Sequence, residues 1–242
     1  MSLPISSSTP TRLLAMVAHD LRNPLNTILG MTQLMRMESE RLSADQQQYL
    51  KTIDEACRRA NLLVDDLVES QALQEEVTPL VRMPMDLNIL LAYVCQRHNT
   101  AAEERKIQLI YQPASQPLEA SVHFDKFGRI LDNLIGNALK FTPPGGQITL
   151  QLGTEAEQVW IAIEDTGIGI PDDMLPHLFD KFTVARRLGL HGERPTGLGL
   201  SIVQQLLMRH EGRIEVTSTP HKGTRFVIYL PMAVSGPNQS AE

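Results

Sequence analysis

Apolar residues at sevenfold spacing dominate the first third of the chain and constrain it more than any other feature. Leu14, Leu21, Ile28 and Met35 are seven apart, interleaved with Ala18 and Leu25. A second run holds Leu50, Cys57 and Val64, interleaved with Ile53, Ala60 and Leu67. A period of 3.5 requires helices that pack along a seam. The polar stretch Glu38–Asp45 separates the two runs, and Ser43 is the expected N-cap of the second helix. This region therefore reads as an antiparallel helical hairpin. One hairpin has a narrow core, and two copies would bury both seams in a four-helix bundle, which makes a homodimer the expectation. A hairpin packed on its own second domain is the other use of such seams.

From about residue 78 the composition changes: Gly and Pro become frequent and β-branched runs appear. Helices are expected over 87–104, 124–139 and 198–209. Strands are expected over 107–111, 120–122, 147–152, 158–164, 213–218 and 224–230, with 158–164 alternating around Trp160, Ala162 and Glu164. Strands and helices without a regular βαβ rhythm indicate an α+β domain, a mixed sheet covered on one face. The expected organisation is a flexible start at 1–8, the hairpin at 9–78, the second domain at 79–234 and a disordered tail at 235–242. A linker is expected near Glu76–Met83.

Bulk properties remove several functions. With 22 Lys+Arg against 28 Asp+Glu the net charge is −6, so the overall field does not favour nucleic acid. Cys57 and Cys95 lie in no CxxC or Cys/His cluster, which points to a reducing, cytoplasmic setting. No apolar run is long enough to span a bilayer, and the first ten residues do not read as a signal peptide. No membrane contact is expected from this segment, although it can be the cytoplasmic part of a larger membrane protein.

Four segments carry chemistry. Ala18-His19-Asp20-Leu21-Arg22-Asn23-Pro24 puts an imidazole beside a carboxylate on the first helix, with Asn23 one turn on. A ring nitrogen is a nucleophile, and the carboxylate can take the proton on the other nitrogen. In Asp132–Phe141, Asn133, Asn137 and nearly Lys140 share one helix face, suited to phosphate oxygens and a hard cation such as Mg²⁺. In Glu164–Pro171, Gly167 and Gly169 permit a tight turn after a strand, and Asp165 can accept from an exocyclic amine such as that of adenine. In Thr196-Gly197-Leu198-Gly199, glycines open a helix whose free N–H groups favour anions. Between the last two lies Phe179-Asp180-Lys181-Phe182, then Thr183–Pro195, which reads as a lid over a nucleotide. The chain has no P-loop, no HRD or DFG set and no HExxH.

Taken in order, HDLRNPL, DNLIGNALKFTPPGG, EDTGIGIP, LFDKF and TGLGLSIV resemble the H, N, G1, F and G2 boxes of the sensor histidine kinases. The resemblance covers residues 10 to 232. It implies a dimerisation and phosphoacceptor hairpin followed by a gyrase-type ATP-binding α/β sandwich. It implies ATP-dependent autophosphorylation on His19 and transfer to a response-regulator receiver domain. His19 looks like the phosphoacceptor, Asp20 its acid–base partner, and Asn23 the position used in hydrolysing the partner's phosphoaspartate. Asn137 resembles the Mg²⁺ ligand, Asn133 and Lys140 phosphate contacts, and Asp165 the adenine-reading acid. Gly167, Gly169, Phe182, Thr196, Gly197, Leu198 and Gly199 would shape the ATP pocket. Two positions depart from the family: Pro195 stands where a Gly is frequent, and Val184 where an Arg is frequent, leaving Arg186 or Arg187 to reach the γ-phosphate. These changes keep alternatives open, namely a non-catalytic ATP-binding scaffold, a phosphatase-biased variant or a gyrase-type ATPase.

Overall fold

The computed structural model describes residues 10–37, 42–75, 79–182, 188–190, 192–193 and 195–233. The chain divides into two compact units, 1–77 and 78–242.

The first unit is the hairpin, α1 (Pro10–Met37) and α2 (Ala44–Glu75). Ser43 starts α2 as a capping box: Ser43 Oγ accepts from the Gln46 amide at 3.2 Å, and Gln46 Oε1 accepts from the Ser43 amide at 2.8 Å. Polar ties fix the register of the two helices. Arg22 donates twice to Asp65 Oδ1, at 2.7 and 3.0 Å, and Asn61 Nδ2 donates to Asn26 Oδ1 at 3.2 Å. Nearer the turn, buried Asp54 bonds the Thr32 hydroxyl and pairs with Arg36 Nη2 at 3.0 Å. The apolar positions divide into two stripes. Ala18, Leu50 and Cys57 are buried within the hairpin, whereas Leu21, Ile28 and Met35 on α1 and Ile53 and Leu67 on α2 remain 41 to 52% exposed.

The second unit runs β1 (Met83–Asp86), α3 (Leu87–Glu104), β2 (Gln108–Gln112), β3 (Glu119–Val122), α4 (Phe124–Phe141), β4 (Gln147–Glu155), β5 (Gln158–Asp165), a 3₁₀ turn (Leu175–His177), α5 (Gly199–Arg209), β6 (Arg213–Thr219) and β7 (Gly223–Pro231). The main sheet has the order β2-β4-β5-β7-β6. Only β2 and β4 are parallel, so the sheet is mixed. The three helices pack on one face of it, over Leu90, Leu91, Phe127, Ile130, Leu131, Leu134, Ile148, Ile161 and Ile228, all at most 1% exposed. The α+β expectation therefore holds.

Met83, the last residue of the stretch expected as linker, begins β1, which pairs antiparallel with β3, and Asp86 then caps α3 by accepting from the Asn88 amide at 2.8 Å. Pro84 is tolerated because a two-stranded ribbon leaves one side of each strand unpaired. In β5 the residues facing the core are Val159, Ile161, Ile163 and Asp165, while Trp160 and Glu164 face away from the helices. Trp160 lies over Gly153 on β4, and a Cβ there would come within 2.6 Å of the ring. Along the same transverse row Arg213 stacks on Tyr229 at 3.6 Å. The expected lid departures at Val184, Arg186 and Arg187, and the tail from 235, lie outside the described residues.

Among the other histidines, His210 is a buried structural group. Its Nδ1 lies 2.7 Å from the Leu206 carbonyl, and its Nε2 accepts from the His123 amide at 3.2 Å. Burial pushes it below the ordinary imidazole range, against the Leu206 carbonyl, which favours the charged form.

Candidate functional site

The expected nucleotide residues converge at one end of the second unit. α4 is amphipathic: Leu134, Ile135, Ala138 and Leu139 go into the core, which leaves Asn133, Asn137 and Lys140 half-buried on the opposite stripe. Asn133 Nδ2 donates to the Arg129 carbonyl at 3.0 Å. Its Oδ1 is thereby set against Gly199, the first residue of α5, where a Cβ would come within 2.6 Å of it. A side chain at 199 would displace the Asn133 amide from this position.

Asp165 ends β5. It is 7% exposed, and its Oδ1 accepts from the Gly167 amide at 2.8 Å and the Thr224 amide at 3.3 Å. Burial pushes the carboxyl up to about 6, against the two backbone N–H groups, with a smaller upward contribution from Glu164. Its other oxygen is left as an acceptor for a ligand. Beyond it the chain turns back over α4: the Ile168 amide donates to the Phe141 carbonyl at 3.0 Å. Gly167 lies against that same carbonyl, so no side chain fits there. Gly169 has φ +65 and lies against the backbone of Thr219, which also demands glycine.

The last two segments meet. The Phe182 amide donates to the Gly197 carbonyl at 2.9 Å, and Phe182 itself has φ +54, unusual for a bulky residue, with 53% of its surface exposed. Thr196 Oγ1 accepts from the Leu198 amide at 3.3 Å, and Leu198 is buried as the residue preceding α5. Part of the expected lid is tied down: the Leu190 amide donates to the Lys140 carbonyl at 3.0 Å. Arg105 pairs with Glu193 at 3.1 Å and donates to the Leu139 carbonyl at 2.9 Å. Nothing in the residue pattern points to Arg105 or Thr224, since both reach the site through contacts distant in sequence.

His19, Asp20 and Asn23 belong to α1. The His19 and Asp20 side chains are 71 and 73% exposed, with His19 Nδ1 3.4 Å from Asp20 Oδ1. Pro24 lies inside the helix, so the amide that would bond the Asp20 carbonyl is missing. Asn23 is exposed, and its own carbonyl accepts from the Thr27 hydroxyl at 3.0 Å.

A helical hairpin with an exposed His–Asp pair, joined to this sandwich, defines the catalytic core of a histidine kinase. The His Kinase A (phospho-acceptor) domain model matches residues 11–76. The model of the histidine kinase-, DNA gyrase B- and HSP90-like ATPases matches residues 123–234. The chain belongs to the sensor histidine kinases and carries an ATP-binding domain. It is similar to the alginate biosynthesis sensor protein KinB of Pseudomonas aeruginosa, with 32% identity over 89% of this chain and 36% of the relative. It is also similar to the aerobic respiration control sensor protein ArcB of Escherichia coli, with 31% identity over 93% of this chain and 29% of the relative. Thus it spans about a third of those relatives' lengths. Among solved structures, full-length ShkA in complex with AMPPNP superposes with a TM-score of 0.76 and 28% identity, over 94% of this chain and 47% of ShkA. Among the described residues no helix is long and apolar enough to cross a membrane.

Proposed function

We propose that this chain transfers the γ-phosphoryl group of ATP to its own His19 and then to an aspartate of a response-regulator receiver domain. The observation that carries this reading is the exposed His19 imidazole paired with Asp20, in one chain with an ATP-binding domain. With the ring proton on Nδ1, Asp20 accepts it and Nε2 offers its lone pair. Nε2 bonds to the γ-phosphorus, the bond to the β–γ bridging oxygen breaks, and ADP leaves with that electron pair. The ring proton is held by Asp20. The regulator's carboxylate then takes the phosphoryl group from His19. Asn23, one turn on, orients a water when the phosphoaspartate is hydrolysed instead. The segment between the two units lets the ATP domain deliver its substrate, and the bundle surface around His19 receives the regulator. Cys57 and Cys95 are free and buried, as suits the cytoplasmic side, where ATP is found.

In the ATP site, Asp165 accepts from the adenine amine and Asn133 and Lys140 hold phosphate oxygens. The α4 stripe fits a hard cation, because Asn137 is a half-buried amide one turn from Asn133, and Mg²⁺ keeps waters and phosphate oxygens as its other ligands. Asn137 would hold Mg²⁺ through its side-chain oxygen, and the ion would supply positive charge to the transferring phosphoryl oxygens. Replacing Asn137 with Ala should lower His19 phosphorylation by about 100-fold or more at saturating ATP. Phosphorylation that persists at the wild-type rate in Asn137→Ala contradicts the assignment.

The working form is a homodimer. Leu21, Ile28 and Met35 recur on one face of α1 and are 43 to 52% exposed, alongside Ile53 and Leu67 on α2. A second hairpin covers this stripe in a four-helix bundle. Placing a carboxylate there leaves it buried and unpaired in the dimer. Light scattering of Ile28→Glu should therefore give the mass of one chain where the wild type gives twice that mass. A variant that remains a stable dimer rules this face out as the interface.

A further inference from the structure

The turn between β6 and β7 lies outside all five sequence boxes, yet it clasps the Asp165–Ile170 loop along its whole length. The His221 amide donates to the Ile168 carbonyl at 2.9 Å, and Gly169 lies against Thr219. Gly223, at φ +114, lies against the Asp165 carbonyl. Thr224 is the cross-strand partner of Asp165 and donates its amide to the carboxylate. One side chain ties these contacts together. Ser218 Oγ accepts from the Ile170 amide at 2.8 Å and lies 2.9 Å from both the Gly223 carbonyl and Thr224 Oγ1.

Counting protons fixes the direction of each bond. A serine hydroxyl has one proton and two lone pairs. The Gly223 carbonyl can only accept, so it takes the Ser218 proton. The Ile170 amide uses one lone pair, and the other is left for the Thr224 hydroxyl, which must then donate to Ser218. Thr224 Oγ1, with its proton committed, presents only acceptor capacity to anything else. Beside it, Asp165 presents a carboxylate. Two acceptors side by side suit an amino group and reject a carbonyl, because an unmatched buried polar group costs far more than a matched one gains.

We propose that Ser218 is a positioning residue that sets the base specificity of the nucleotide site, holding Thr224 as an acceptor and the Gly169–Ile170 turn in place. This rests on the reading of Asp165 as the acceptor for the adenine amine. It adds a residue that acts through its neighbours without touching the nucleotide.

The test compares equilibrium binding of ATP and inosine triphosphate, which carries a 6-oxo group in place of the amine, to the full chain. Wild type should prefer ATP strongly. In Ser218→Ala the Thr224 hydroxyl is free to donate, so ATP should bind about tenfold more weakly, inosine triphosphate no more weakly, and the preference should fall by at least about tenfold. Ser218→Thr, which keeps the hydroxyl, should restore the preference, and Ser218→Val, its isostere without one, should not. That pair carries the same comparison should the alanine variant fail to fold. A wild-type preference preserved in both Ser218→Ala and Ser218→Val overturns the role of Ser218 and leaves the Asp165 reading standing, as does equal loss of both nucleotides. A wild type that binds the two nucleotides equally overturns the Asp165 reading, and the proposal with it.

Discussion

Replacing Asp165 with Asn is expected to abolish measurable ATP binding while making the nucleotide-free domain harder to melt. The carboxyl lies 7% exposed at the end of β5, and burial pushes it up to about 6. An acid raised in the folded state contributes stability that is complete below its unfolded value near 3.8 and is lost as pH rises through about 6. At pH 7.5 the ionised group thus burdens the fold by up to about 3 kcal/mol. Asparagine keeps an oxygen for the Gly167 and Thr224 amides and carries no charge. Its melting temperature at pH 7.5 should exceed that of wild type by roughly 5 °C, with the gap closing as the pH falls toward 4. For ATP the same change is severe. With its oxygen held by the backbone, the asparagine presents an NH₂ to the adenine amine, donor against donor, and affinity should fall by about 100-fold or more. In wild type, ATP affinity should decline as the pH is lowered through about 6, because the ionised carboxylate is the acceptor. Calorimetry at several pH values checks both halves. Unchanged ATP binding by Asp165→Asn contradicts the adenine assignment, and an unchanged melting temperature contradicts the burial argument.

Features written in local spacing were legible in the sequence. The heptad runs give two helices, and Ser43 with Gln46 forms the cap that the polar break implies. The Asn133–Asn137–Lys140 stripe is visible as helical periodicity, and the glycines at 167 and 169 lie where backbone leaves no room for a side chain, while Gly199 lies against the Asn133 amide. What depends on distant pairing was not legible. Heptad spacing treats Ala18 and Leu21 alike, yet the first is buried inside the hairpin and the second is 48% exposed, because spacing alone does not say which stripe of α1 faces α2. Met83–Asp86 contains a proline and has only four residues, so no strand is expected there until its pairing with β3 is seen. The phase of β5 could not be read from alternation alone, since Ala162 is buried on the face that also carries Trp160. Thr224 and Ser218 enter the site through the β5–β7 register and a turn some fifty residues away, and no local motif marks them.

In the proposed reaction the phosphoryl group goes first to His19. On α1, His19 is exposed, paired with Asp20, and followed by a proline within the helix. Each of these is compatible with an ordinary surface histidine, so the acceptor must be identified chemically. Glutamine keeps the polarity and approximate size of His19 but lacks a nucleophilic ring nitrogen. The direct measurement is incubation with Mg²⁺ and γ-labelled ATP, comparing wild type with His19→Gln. Protein-bound label that is labile in acid and stable in alkali, as a phosphoramidate is, should appear on the wild type and none on the variant. Label that survives in His19→Gln, or a wild type that binds ATP yet takes up no label, would contradict the proposed transfer to His19.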